Sequence, residues 1–205
     1  MTTIQISPAR LHADSSLQAF QTFNRTVYEA VNNRDFGILE MACRLARYAS
    51  RVALWVRKAE MERTGYHLSM MLSWLCALTN RMGLSMEQEV ATYCVIELQS
   101  GAPIAELQKT FAARHTDVSL ERACLCLAEK VLGVASELEY YQETHEVEHF
   151  RNMAKRMAQS VEALLVVAGK LDLSLGEELA RYFEGGCNHC HRIPCGFGFR
   201  TDKVV

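Results

Sequence analysis

The sequence predicts an all-α protein, and three observations support this. Only three prolines occur in 205 residues, so long stretches lack the residue that most often interrupts a helix. Apolar residues recur in those stretches at steps of three and four, the period of an amphipathic helix. Residues 66–93 also resemble residues 155–182, which lie 89 positions further along the chain. The sequence therefore predicts one helical body built from two similar units.

The duplicated segment reads as a helix, a short turn and a second helix that begins at a serine. Ser85 stands three residues before Gln88, and Ser174 stands three residues before Glu177. This is the spacing of a capping box, in which the serine side chain accepts a hydrogen bond from the third backbone amide of the helix. Gly83 precedes the first serine and suits a left-handed helix end.

The other boundaries follow from turn residues. Asn32 to Asp35 should break the first helix, Gly65 should lie in the turn between the second and third, and Gly185 and Gly186 should end the helical body. The predicted helices cover about 15–32, 37–62, 66–82, a short segment from 85, 104–114, 119–141, 147–171 and a short segment ending near 183. With a linker at 100–103, we expect an irregular, flexible N-terminus (1–14), a first unit (15–100), a second unit (101–184) and a cysteine-rich tail (185–205).

Composition excludes several classes of function. The apolar share is 49% and the charged share 22%, as in an ordinary globular protein with a core. The net charge of −2 gives no basic field for nucleic acid or an anionic membrane surface. No apolar run approaches the roughly 18 residues that span a bilayer, and the N-terminal residues lack the pattern of a secretory signal. We therefore expect a cytoplasmic protein, in which the five cysteines of the helical stretches are reduced core residues.

Three further cysteines cluster within nine residues. Cys187 and Cys190 have the C-x-x-C spacing that lets two thiolates bind one metal, and Cys195 follows closely. A histidine, His191 or His189, would complete a Cys3His shell. This pattern predicts a structural zinc site; the alternatives are a cluster of free thiols or a site shared between chains.

Residues 145–149 satisfy the H-E-x-x-H pattern of zinc hydrolases. On one helix, His145 and His149 would share a face and bind zinc, with Glu146 as the general base. Glu148 places a charge where such motifs are usually apolar, and no strand is predicted to align a peptide. A polar connection between two helices explains the segment equally well.

The segment from His67 to Val90 resembles the second half of a MazG-like nucleotide pyrophosphohydrolase, whose E-L-x-D helix runs into a similar turn and short helix. Leu45 to Lys58 has the length and hydrophobic phase of the family's first catalytic helix, which carries E-E-x-x-E. Some relatives also end in a C-x2-C-x4-C-x-C tail, of which Phe197 would take the fourth position. The resemblance implies two tandem MazG-like units packed as an internal pseudo-dimeric helix bundle.

The family's chemistry uses clustered carboxylates to hold magnesium against a triphosphate. Carried onto the first unit, the acid positions fall on residues that are not carboxylates: Arg47, Tyr48, Arg51, His67 and Met70. Such a unit cannot build the family's magnesium site.

The second unit keeps one acid of the motif. The carried-over positions fall on Glu129, Lys130, Gly133, Arg156 and Gln159. One carboxylate does not make a site for two magnesium ions. The resemblance therefore implies the fold without the catalysis.

The sequence favours a non-catalytic regulator or scaffold that binds a nucleotide, a phosphate or a protein partner, and a homo-oligomer is possible. Candidate ligand-binding residues are Arg47, Arg51, His67 and Arg156, because arginine binds phosphate well; a solvated helix face is the alternative for the first two. The alternative function is an active magnesium-dependent NTP pyrophosphohydrolase that yields NMP and pyrophosphate. Its catalytic acids would be Glu129 and Glu137, with Glu143 and Glu146 as further candidates, and a zinc hydrolase using H-E-x-x-H is the third hypothesis.

Overall fold

A computed structural model describes residues 10–196, and the regular structure in this range is entirely helical apart from one isolated bridge between Ser16 and Pro103. The all-α prediction is therefore confirmed. Residues 1–9 of the expected flexible N-terminus and Phe197 of the tail lie outside the described residues. The helices are α1 Leu17–Asp35, α2 Ile38–Arg57, α3 Met61–Arg81, α4 Met86–Tyr93, α5 Ile104–Arg114, α6 Leu120–Thr144, α7 Val147–Lys170 and α8 Leu175–Phe183.

Four long helices form the centre of the fold. Helix α2 packs against α3 and α6, and α7 packs against α6 and α3. The shorter helices follow the same scheme in both halves: α1 packs on α3 and α5 packs on α7. The last helix of each half crosses over, because α4 packs on α7 and α8 packs on α3.

Both predicted helix starts are confirmed. The side chain of Ser85 accepts a hydrogen bond from the amide of Gln88, and that of Ser174 accepts one from the amide of Glu177. Gly83 has a left-handed backbone with φ of 69°, as predicted. Its counterpart 89 positions later, an aspartate, is left-handed too, so both turns have the same shape without needing glycine twice.

A glutamine fixes each of these turns from a neighbouring helix. The side chain of Gln21 in α1 donates a hydrogen bond to the carbonyl of Leu84 (2.8 Å) and accepts one from the amide of Met86 (2.9 Å). The side chain of Gln108 in α5 donates a hydrogen bond to the carbonyl of Leu173 (2.6 Å) and accepts one from the amide of Leu175 (3.1 Å). The two halves thus have equivalent hydrogen bonds from a glutamine side chain to the backbone of the turn, in addition to their similar sequence pattern.

The predicted turn between the second and third helices was wrong. Helix α2 ends at Arg57, Ala59 takes a left-handed backbone with φ of 55°, and α3 begins at Met61. Gly65 lies inside α3, where a Cβ atom would stand 2.4 Å from a carboxylate oxygen of Glu178 in α8. The glycine serves the close approach of two helices rather than a turn.

Aromatic packing joins the end of the chain to its beginning. Phe183, the last residue of α8, is fully buried and meets Phe20 and Phe23 of α1 edge to face, with ring centroids 5.5 and 6.1 Å apart. This contact brings the residues after α8 next to α1. Of the helices described, none has the length and apolar character needed to cross a membrane.

Candidate metal centre and ligand grooves

The cysteine tail, residues 187–196 in the described range, folds back against α1. Gly186 makes the turn after α8 with φ of 111°, and a Cβ atom there would lie 2.6 Å from the side chain of Ile193. Within the tail, the amide of His191 donates to the carbonyl of Cys187 (2.8 Å). The amide of Cys195 donates to the carbonyl of Val27 in α1 (2.8 Å), which anchors the tail to the helical body.

Asn188 makes most of the polar contacts between this tail and the helices. Its Oδ1 accepts from the hydroxyl of Tyr28 (3.0 Å), and its backbone amide donates back to that hydroxyl oxygen (3.2 Å). Its Nδ2 donates to the hydroxyl of Tyr66 (3.5 Å) and to the sulfur of Met70 (3.3 Å). Burial, and then the neighbouring Cys187 sulfur, raise the pKa of Tyr28 above its ordinary value, so its hydroxyl stays protonated and able to donate.

Three sulfur atoms converge inside the tail. The sulfurs of Cys187 and Cys195 are 3.3 Å apart, those of Cys190 and Cys195 are 3.8 Å apart, and all three lie within 4.8 Å of one another. With Zn–S bonds of about 2.3 Å, tetrahedral zinc places its sulfur ligands about 3.8 Å apart. The closer pair would have to open by about 0.5 Å on that geometry. The three cysteines can therefore hold a metal ion.

The surroundings of Cys190 favour its thiolate form. Burial raises the pKa of Cys190, but hydrogen bonds from the backbone of Gly196 and Arg192 and from the other two thiols outweigh it, so the pKa falls to about 7. The backbone amide of His189 also points at the Cys187 sulfur (3.5 Å). The amide donors around the Cys190 sulfur stabilise its charged form, which is the form that binds metal.

The fourth ligand is not among the residues that converge. Within residues 10–196, the only group of three or more metal-ligating side chains is the cysteine trio. His191 is exposed on a left-handed backbone (φ of 53°), and neither it nor His189 belongs to the group. The role of either histidine as the fourth metal ligand stays a prediction.

A groove lies beside the cysteine tail, between α1, α2 and α3. The groove is open, and its space amounts to about 550 Å³ when the solvent at its mouth is included. Arg44 and Tyr48 of α2 face Met70 and Trp74 of α3 across it, and the tail closes one end. We call this the first groove.

A second groove occupies the equivalent position in the other half. Its space amounts to about 530 Å³ when the solvent at its mouth is included. Eight of its nine lining residues correspond to lining residues of the first groove. The offsets are 87 between α1 and the segment after α5, 82 between α2 and α6, and 89 between α3 and α7. The pairs are Tyr28 with His115, Val31 with Val118, Arg44 with Cys126, Tyr48 with Lys130, Met70 with Gln159, Ser73 with Glu162, Trp74 with Ala163 and Ala77 with Val166. The two grooves therefore occupy equivalent positions in the two halves but are lined by different side chains.

The predicted ligand residues of the first half do not line its groove. Arg47 is exposed, and Arg51 is half-buried beside His67. His67 is buried among the rings of Tyr48 and Tyr66 and shares a short hydrogen bond (2.6 Å) between Nδ1 and a backbone carbonyl. Burial lowers the pKa of His67, so its ring is neutral at neutral pH and offers no positive charge to a phosphate.

In the second half, three of the residues at the acid positions of the resembled family contact one another. Arg156 lies 3.7 Å from Glu129, and Lys130 lies 3.3 Å from the same carboxylate. The arginine also packs against Gly133, where a Cβ atom would be 3.1 Å from it. An ion pair thus occupies the place where the resembled family needs metal-binding acids.

Glu137, the other predicted catalytic acid, lies elsewhere. It stands eight residues beyond Glu129, or about 12 Å along the helix. Its carboxylate binds Nδ1 of His149 (2.8 Å) near the turn between α6 and α7. Glu143 and Glu146 are exposed at the same turn, and Glu146 is 3.7 Å from His149. These acids do not converge with Glu129.

The H-E-x-x-H segment does not form one helix. His145 ends α6 with a left-handed backbone (φ of 56°), and α7 begins at Val147. The two histidines therefore do not share a helix face, which removes the geometric basis of the zinc-hydrolase hypothesis.

Several residues of the first groove were missed from the sequence, among them Arg44, Trp74 and Asn188. Arg44 lies one helical turn before Tyr48, and Trp74 lies one turn after Met70, so helical periodicity could have placed both on the groove face. The contacts of Asn188 had no signal beyond its position inside the C-x-x-C motif.

Compared with family models, curated proteins and solved structures, the chain has no match. The MazG-like resemblance therefore rests on the motif-like pattern alone.

Proposed function

We propose that this chain is a non-catalytic binding protein, built from two tandem MazG-like units arranged as an internal pseudo-dimer, whose first groove binds a nucleotide. In this proposal a structural zinc ion holds the cysteine tail that closes the groove. The observation that carries the proposal is the pair of equivalent grooves: the first has no carboxylate in its lining and the second has one, Glu162, whereas a magnesium-dependent enzyme of this kind needs several.

The argument against catalysis compares the two grooves. Of the carried-over acid positions, Tyr48 and Met70 line the first groove, and Lys130 and Gln159 line the second. Magnesium prefers hard oxygen ligands, and none of these four side chains is a carboxylate. In residues 10–196, carboxylates form no group of three or more that could hold an ion.

The lining of the first groove suits a nucleotide. The guanidinium of Arg44 lies over the ring of Phe36 (4.4 Å to the centroid) and near that of Trp74 (5.8 Å), and it pairs with Glu40 (2.9 Å). A cation held in this way can meet a phosphate, while Tyr48 and Trp74 offer aromatic surface to a base. The indole N–H of Trp74 is buried and has no hydrogen-bond acceptor among the described residues.

Zinc accounts for the tail better than free thiols do. Without a bound ion, three sulfurs and the polar backbone around them are drawn together with little apolar surface to bury. Soft thiolate ligands select zinc over magnesium, and a Cys3His site would take its fourth ligand from His191 or His189.

Isothermal titration calorimetry with AMP and ATP, with and without magnesium, tests the binding claim. We expect binding without hydrolysis, and we expect Arg44→Ala to weaken it by roughly tenfold or more because a charge-assisted contact is lost. Cys126→Ala is the matched control, since it changes the equivalent position of the second groove. Equal loss in both variants, or no binding to wild-type protein, would contradict the proposal.

A hydrolysis assay separates the alternative function. Release of pyrophosphate from NTPs with magnesium that disappears in Glu129→Ala would establish the active enzyme instead. Elemental analysis of reduced protein tests the zinc claim independently of either result.

A further inference from the structure

Exposed apolar side chains occur on the outer surfaces of the two central helices α2 and α6. Leu125 and Leu132 of α6 are 64% and 58% exposed, and Leu54 of α2 is 41% exposed. A monomer leaves such side chains in water at a cost, so repeated exposure along adjoining helices indicates a covered surface. Helices α2 and α6 pack against each other, so these residues lie on adjoining elements.

The exposed residues follow a regular spacing. The α2 stripe consists of Cys43, Arg47, Ser50, Leu54 and Arg57, and the α6 stripe consists of Leu125, Glu129, Leu132, Ser136 and Glu139. Both advance by steps of four, three, four and three residues. A mean step of 3.5 residues is the period of a seam between packed helices.

The two stripes carry opposite charge at equivalent positions. Arg47 corresponds to Glu129 and Arg57 to Glu139, each at the offset of 82 that relates α2 to α6. Glu129 contacts two basic residues of its own chain, yet 61% of its side chain is exposed. One chain therefore carries a basic stripe with one exposed leucine on α2 and an acidic stripe with two exposed leucines on α6.

We propose that this surface binds a second copy of the chain, with the α2 stripe of each subunit against the α6 stripe of the other. A two-fold axis makes both contacts at once, because each subunit contributes one basic and one acidic stripe. Leu54 and Leu132 lie between the charged residues of their stripes and form the apolar centre of the contact, and Leu125 extends it at one end. The charge pairs select the α2-to-α6 arrangement over α2-to-α2.

The size of the surface fits this partner. Helix α2 has 20 residues, so it is about 30 Å long. Two adjoining helices, each about 10 Å wide, offer about 600 Å² per subunit, or about 1,200 Å² in total, the lower end of specific interfaces. This area is sufficient for a small but specific dimer interface.

Sedimentation equilibrium of the full chain tests the proposal with two charge-reversed variants. Arg47→Glu with Arg57→Glu gives two acidic stripes, and Glu129→Lys with Glu139→Lys gives two basic stripes. Each variant alone should dimerise roughly tenfold more weakly or worse than wild type because like charges meet.

Mixing the two variants supplies the decisive result. In the mixed dimer, both stripe-to-stripe contacts pair an acidic stripe with a basic one. A heterodimer should therefore form with an affinity near that of the wild-type dimer. Damage to the fold cannot produce rescue on mixing. Lys109→Glu with Lys155→Glu, on exposed positions of α5 and α7, is the matched control and should dimerise normally.

Three results would overturn the proposal. Wild-type protein could be monomeric at high micromolar concentration, which would assign the stripes to another partner or to solvent. A dimer could ignore both reversals, or the mixed variants could fail to associate. Either of these places the interface on another surface.

Discussion

Replacing Asn188 with alanine measures how strongly the cysteine tail is attached to the helices. The substitution leaves the three sulfurs and the tail backbone in place. It removes the acceptor of the Tyr28 hydroxyl (3.0 Å) and the donor that reaches Tyr66 (3.5 Å) and Met70 (3.3 Å). The consequence should be a loss of folding stability without a loss of metal.

The expected magnitude follows from these contacts. Leaving the half-buried hydroxyl of Tyr28 without an acceptor costs roughly 1–2 kcal/mol, and the two longer contacts add about 0.5 kcal/mol. The total of about 2 kcal/mol corresponds to a fall in Tm of about 4–8 °C for a domain of this size. Urea unfolding followed by circular dichroism measures the free energy, and elemental analysis of the same samples measures the zinc content.

A double-mutant cycle with Tyr28→Phe isolates the contact. Removing the hydroxyl in wild-type protein breaks its bonds to both Asn188 atoms, whereas in Asn188→Ala only the backbone amide bond is left to lose. The two substitutions should therefore couple by about 1 kcal/mol. Additive effects, or an Asn188→Ala cost below about 0.5 kcal/mol, would refute the reasoning, since that is the range of ordinary surface substitutions.

Three further predictions concern the tail and the packing. Reduced protein should contain about one zinc ion per chain by elemental analysis, and Cys195→Ser should lose most of it because a buried thiolate ligand is removed. Gly176→Ala should destabilise the fold by roughly 1–3 kcal/mol in urea unfolding, since its Cβ would lie 2.2 Å from the carbonyl oxygen of Ala13; Gly133→Ala, whose neighbour is a flexible side chain, should change it by less than about 1 kcal/mol. In zinc-free protein, alkylation of Cys190 followed by mass spectrometry should rise with a midpoint near pH 7, its folded pKa. Because that pKa lies below the ordinary thiol value of 9.0, the ionised thiol stabilises the zinc-free fold fully above about pH 9, and this contribution is lost as the pH falls through about 7.

Local signals in the sequence were sufficient for part of the fold. Helix α5 runs from Ile104 to Arg114 as predicted, because Pro103 marks its start and a polar stretch follows its end. The serine caps were also predictable, since capping depends on residues only three positions apart. Ala59 shows the limit of such reasoning. Nothing in its side chain favours a left-handed backbone, and the turn there is held by α2 and α3 packing on each other.

The candidate site also has one part that the sequence predicts and one part that it does not. The three cysteines were identified because C-x-x-C spacing constrains two ligands locally. The grooves depend on which helices meet, and one helical turn decides whether an arginine enters a groove or faces solvent. Arg47 and Arg44 differ by three positions, yet only Arg44 lines the first groove. Periodicity relates Arg44 to Tyr48 on one face of α2, but it does not show that this face, rather than the face of Arg47, lines a groove.

The crossing of the last helices explains why only one groove is closed by cysteines. Helix α8 packs on α3 of the first half, so the segment that follows it reaches α1, where Cys195 binds the carbonyl of Val27. Helix α4 packs on α7 of the second half, and the segment after it reaches α5. There Arg114, the counterpart of Val27 at the offset of 87, donates to the carbonyls of Cys94 and Val95 (both 2.8 Å).

The two segments therefore occupy equivalent places by the same topology and differ in what they can do. The segment after α4 must continue into the linker and α5, so it is held at both ends by helices. The segment after α8 has no following helix in the described range, and only its own contacts hold it against the groove. The contacts among the three cysteines, which the proposed zinc ion would join, give this segment a fixed end. If the proposed ion is bound, removing it should release this segment from the first groove, while the second groove, whose flanking segment is held by helices at both ends, should keep its shape.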